Sequence, residues 1–189
     1  DNTARKQVEA EQKKLDQRLR DQQFYTRSLI ESNIDAIMTT DPSGIITDAN
    51  NEQKAIIKTE KGDITLTLYP NDAPKTVDNF IAKAKSGFYN NLVFHRVEDW
   101  VIQGGDPLAT GTGGGDMPTE LNNKPFIVGS LGVARGADLK VSNDAQFFIT
   151  KKDSPFLNGQ YTNFGIVTNG MDVVKKIEIG DKILEITTK

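Results

Sequence analysis

From residue 55 onward the apolar residues of this chain fall in short runs, and only two of those runs have helical spacing. Ile64-Thr65-Leu66-Thr67-Leu68-Tyr69 alternates apolar and polar, which is the period of a strand with one face buried. With Ala55-Ile56-Ile57-Lys58-Thr59 before it, across Glu60-Lys61-Gly62-Asp63, it reads as an antiparallel hairpin. Further strand-like runs lie at 126–134, 146–150, 164–167 and 183–187. The first helix is announced by Asn71 or Asp72 as its cap and by Pro74 in its first turn. Val77, Phe80, Ile81 and Ala84 share one face of it, and Gly87 closes it. The second is short, with Met171, Val174 and Ile177 on one side. Many short strands and two helices imply a mainly β architecture: a closed antiparallel barrel capped at its ends.

Residues 1–33 differ. No Gly or Pro interrupts them, and the composition predicts one long helix. Val8, Leu15 and Leu29 share a seven-residue phase with Gln22 in the gap, which leaves two readings open. One is a weak coiled-coil seam pairing two copies into a homodimer; the other is a solvated helix whose last turns dock on the adjoining segment. Then come Ile34-Asp35-Ala36-Ile37-Met38-Thr39-Thr40 and Ile45-Ile46-Thr47-Asp48-Ala49-Asn50 around the turn Asp41-Pro42-Ser43-Gly44. Over residues 22–51 this resembles a signalling helix leading into the opening of a PAS domain. The later strands and helices of that fold are missing, so the segment reads as a truncated PAS-like hairpin fused, naturally or by engineering, to a separate domain at 53–189.

Composition removes several kinds of chemistry. Among 189 residues there is no Cys and a single His, His95, which excludes thiol catalysis, thiolate metal sites and multi-His metal sites. The net charge of −3, without a Lys/Arg run, argues against nucleic acid as a partner. No apolar run approaches the ~18 residues that span a bilayer, and no signal peptide is visible, so the expected compartment is the cytoplasm.

The stretch 94–106, Phe-His-Arg-Val-Glu-Asp-Trp-Val-Ile-Gln-Gly-Gly-Asp, sets two strong donors, Arg96 and Gln103, among apolar and aromatic groups. That mixture suits an extended peptide with an apolar side chain better than phosphate, metal or sugar. Together with Gly111-Thr112-Gly113-Gly114-Gly115, Val133-Ala134-Arg135-Gly136, Ala145-Gln146-Phe147-Phe148-Ile149-Thr150 and the 156–167 run, it resembles a cyclophilin-type peptidyl-prolyl isomerase over residues 53–189. The resemblance implies an eight-stranded antiparallel barrel with two helices and a proline-binding groove on its outer surface. It also implies cis–trans isomerisation of X–Pro bonds in polypeptides, a reaction that needs no metal or cofactor.

Carried over by position, Arg96 is the donor to the twisted amide and acts with Gln103 and Phe148. Val101, Phe148, Leu157 and Tyr161 form the proline pocket, with Trp100 on the same wall. Gln103 and Gln146 position the peptide, and Gly111, Ala134 and Arg135 line the side toward its N-terminus. This chain departs from the best-known eukaryotic members in several places. The turn before Trp100 is one residue shorter, and two extra residues lie between Arg135 and Gln146. Arg135 replaces Asn, Phe156 replaces Trp and Tyr161 replaces His, a pattern closer to bacterial members. Without an indole N–H at Phe156, the cyclosporin binding that the family implies is expected to be weak.

Blander roles stand beside these. Arg96 can pair with Glu98 or Asp99, His95 reads as a packed structural residue, and 111–115 reads as a groove-side turn rather than a phosphate loop. A proline-peptide binding module without turnover and a sensor component are the rival functions.

Overall fold

The structure, a computed structural model, describes residues 53–189. The expected N-terminal helix, its dimer seam and the PAS-like hairpin lie outside those residues. In chain order the elements are β1 (Lys54–Thr59), β2 (Gly62–Leu68), α1 (Pro74–Lys85), β3 (Arg96–Val97), β4 (Val101–Gly104), β5 (Asp116–Pro118), β6 (Ser130–Val133), β7 (Val141–Asn143), β8 (Phe147–Thr150), a 3₁₀ turn (Pro155–Leu157), β9 (Asn163–Asn169), α2 (Met171–Lys176) and β10 (Ile183–Thr188).

Eight strands form one antiparallel sheet in the order β10-β1-β2-β9-β6-β8-β4-β3, and β5 pairs with β7 in a small second sheet. Along β1 and β2 every second residue is buried, so Ala55, Ile57, Ile64, Leu66 and Leu68 face one interior. The hairpin joining them is tight, with Thr59 opposite Gly62. Gly62 has φ +129, and a Cβ there would press on Val173 of α2. Only glycine meets both demands. Phe80 from α1 packs edge-on to Phe147 and Phe164, which carries the core from the helix into the sheet.

Three expectations are corrected. The sheet curls but is not a closed barrel, because β3 holds only two residues and no ladder joins it to β10. The two margins meet instead through one isolated bridge, Val93 to Lys182, and single bonds such as Ile183 N–H to the Leu92 carbonyl at 2.8 Å. The first helix is capped by neither Asn71 nor Asp72; the cap residue is Ala73 and it gives no side-chain bond. Asp72 pairs with Lys124, and the carboxylate of Glu120 accepts from the backbone N–H groups of Lys75 (3.1 Å) and Thr76 (2.8 Å). A distant acid thus does the work of a local cap at the positive end of the helix. The run at 126–134 is a strand only over Ser130–Val133, since Gly129 (φ +85) breaks it and Phe126 leaves to donate its N–H to Asn158 Oδ1.

Candidate active site

Register builds the site. Arg96 on β3 lies opposite Gln103 on β4, Gln103 opposite Phe148 on β8, and Phe148 opposite Gly132 on β6. Opposed residues share a sheet face, so four strands deliver Arg, Gln, Phe and Gly as one row. Val101, two residues from Gln103, points the same way. The row faces away from the main core. Val101, Phe126, Phe148 and Leu157 form a separate small cluster there, with Trp100 and Tyr161 packed against it.

Phe148 is the floor. Its ring stacks on Phe126 (5.7 Å, 24°) and meets Tyr161 edge-on (5.7 Å, 88°). Gly132 permits this, because a Cβ there would clash with the Cζ, Cε1 and Cε2 atoms of the Phe148 ring. Above the floor is a cavity of about 180 Å³. Sites for drug-sized ligands run to ~300–1,000 Å³, so this one suits a single small ring. With Phe148, it is lined by Arg96, Trp100, Val101, Gln103, Ala134, Arg135, Leu157 and Tyr161.

A chain of hydrogen bonds fixes the donors. Arg96 Nη1 donates to Gln103 Oε1 (3.3 Å), Gln103 Nε2 to Gln146 Oε1 (2.9 Å), and Gln146 Nε2 to the Gly113 carbonyl (2.8 Å). Glu98 holds the other end, accepting from Arg96 Nε (2.7 Å) and from the Trp100 indole N–H (2.8 Å). These bonds, Arg96 first, keep the Glu98 carboxyl below the usual carboxylate range. The guanidinium also lies 5.6 Å from the Trp100 ring centre.

Gln146, Gly111 and Phe156 stand outside the cavity lining. Gln146 is 3% exposed and works behind Gln103. Gly111 sits in the loop organised by Asp106, whose buried carboxylate accepts from the backbone N–H groups of Leu108, Thr110 and Gly111. Phe156 is 64% exposed and packs edge-on to Trp100 at 5.2 Å. Neither ring nitrogen of His95 has a partner among the described residues, and burial lowers its pKa against the pull of Asp106. A neutral, unbonded imidazole fits the structural role.

Four contributors escaped the sequence reading: Gly132, Phe126, Glu98 as a tether, and Asp106. A glycine inside the apolar run Leu131-Gly132-Val133 was the available sign of a close approach.

The chain is also similar to proteins already known. The profile for cyclophilin type peptidyl-prolyl cis-trans isomerases matches residues 54–188. The chain belongs to that family. A peptidyl-prolyl cis-trans isomerase of Synechococcus elongatus is 41% identical over 138 residues, covering 70% of this chain and 94% of the relative. One from Dictyostelium discoideum is 44% identical over 132 residues, covering 67% and 85%. Another, from Schizosaccharomyces pombe, is 41% identical over 138 residues, but the match spans 67% of this chain and only 22% of that longer protein. Among solved structures, a Cryptosporidium parvum cyclophilin type isomerase crystallised in the presence of the dipeptide Ala-Pro superposes with a TM-score of 0.66. It is 30% identical and covers 72% of this chain and 98% of its own. The cyclophilin fold is therefore shared, with its curled sheet and two helices.

Proposed function

We infer that residues 53–189 catalyse cis–trans isomerisation of X–Pro peptide bonds in proline-containing polypeptides. The observation that carries this is the cross-strand row, which holds a fixed guanidinium and amide beside an apolar floor. The barrier to rotation, ~18–20 kcal/mol, comes from amide resonance. As the bond twists, the prolyl nitrogen regains a lone pair that a cation can stabilise, whereas either planar amide offers it none. A donor already in place stabilises the twisted state without reorganising, which lowers the barrier. Arg96 has that character: permanently charged, planar and tethered at Nε and Nη1. The proline ring rests on Phe148, Val101 and Leu157, and Gln103, braced by Gln146, aligns the peptide backbone.

The Ala-Pro dipeptide named with the parasite structure supports proline peptides as the substrate class. Cyclosporin binding is proposed to be weak on chemical grounds. Phe156 has no polar hydrogen, and the Trp100 N–H is already given to Glu98.

The test is exchange spectroscopy on a short X–Pro peptide with wild type and Arg96→Ala. Catalysis should be clear in the former and fall ~10²–10³-fold in the latter, the usual loss for one preorganised donor. Binding without any acceleration by the wild type would mean a recognition module instead.

A further inference from the structure

We propose that Arg135 selects substrates bearing a carboxylate within two residues of the proline, a reading that rests on the isomerase function above. Arg135 follows β6 and lines the same cavity as Arg96 and Phe148. Its guanidinium lies 4.5 Å from the Tyr161 ring centre. Nε donates to the Gln160 carbonyl at 2.6 Å and Nη1 to the Gly136 carbonyl at 2.8 Å. These contacts orient the fork without neutralising it, because carbonyls carry only partial charge. Among the described residues no carboxylate pairs with Arg135, and its Nη2 has no hydrogen-bond partner.

The neighbours differ. Arg96 is balanced by Glu98 at 2.7 Å, and Lys152, nearby in sequence to the floor, by Asp99 at 2.7 Å. Arg96 and Arg135 are the two charged side chains on the cavity wall, so the wall keeps one cation without a counterion. This happens in a chain whose net charge is −3. A carboxylate offered by a bound peptide meets a guanidinium whose ordering cost is already met, with free N–H donors on its Nη2 edge. Consecutive peptide residues advance ~3.3–3.6 Å, so with the proline ring on Phe148 a side chain one or two places away can reach that edge.

The experiment measures kcat/KM by exchange spectroscopy on peptides carrying Glu, Gln or Lys at each of the two positions before and after the proline. Wild type, Arg135→Gln and Arg135→Glu are compared at low salt and at 0.5 M salt. At one position or more, wild type should prefer Glu over Gln about three- to fivefold, the size of one exposed charge pair, and should disfavour Lys. High salt should shrink the ratio. Arg135→Gln should bring it near one, and Arg135→Glu should invert it toward Lys. Equal rates for Glu and Gln peptides at every position in wild type, or a preference that survives Arg135→Gln, would overturn the proposal. If no peptide turns over, the isomerase reading fails on its own, and the same Glu/Gln ratio read from dissociation constants decides the charge preference.

Discussion

Phe147 and Phe148 are neighbours on β8, chemically identical and almost equally buried, at 2% and 5% exposure. Their surroundings separate them. Phe147 faces the main core, where its ring meets Phe80 and Tyr89 edge-on. Phe148 faces the other way, onto Gly132 and against Phe126 and Tyr161, with the cavity above it. One ring is packed among core aromatics; the other is a supported floor. Burial alone therefore does not distinguish a residue that holds the fold from one that serves the site. What distinguishes them is whether the layer above is filled by the protein or left for a ligand.

Truncation should split the pair most widely. Phe147→Ala is expected to cost ~3–5 kcal/mol of stability by denaturant unfolding, because a closed core cannot collapse around the hole. Phe148→Ala should cost about half as much, since its upper face already meets a cavity, yet kcat/KM should fall further than the stability loss explains. If both variants lose equal stability and the folded Phe148→Ala still turns peptide over normally, the contrast between core and floor is wrong.

Gly132→Ala sharpens the same contrast from below. The added methyl must displace the Phe148 ring, at a cost of ~1–3 kcal/mol for overpacking. Because the ring can move only up into the cavity, KM should rise several-fold while kcat for bound peptide changes less. Unchanged KM in a folded Gly132→Ala protein would show that the floor does not depend on that close approach.

Much of this was legible in the sequence, for reasons that particular residues make plain. Strict alternation in 64–69 and the one-sided pattern of Val77, Phe80 and Ala84 reported real burial, since period and burial have one cause. Alternation along a strand likewise puts neighbours such as Phe147 and Phe148 on opposite faces. Sheet closure was not legible: whether β3 ladders onto β10 depends on backbone bonds around 180–183, which side-chain pattern does not encode. The helix cap was misplaced because Glu120, 45 residues beyond Lys75, supplies it. Glu98 looked like a competitor for Arg96. In the structure it holds Arg96 and Trp100 at once, one on each carboxylate oxygen.

That tether yields the smallest expected effect. Both carboxylate oxygens of Glu98 are committed, and these bonds depress its pKa from the ordinary 4.5. A depressed acid contributes interactions that are complete above its unfolded pKa and lost as pH falls through the folded one. The tether is therefore intact throughout the neutral range and gives way only below the usual glutamate value. Neutral His95, shifted downward by burial, adds no charge to the site near pH 7. The isomerisation rate should accordingly be flat from pH 8 to pH 6 and decline only in acid, with KM steadier than kcat. Glu98→Gln should lower the rate about two- to fivefold at neutral pH, the worth of one exposed charge pair, and should remove the acid limb contributed by this group. An inflection near pH 6–7 that disappears on replacing His95 would instead give the imidazole a part in the reaction.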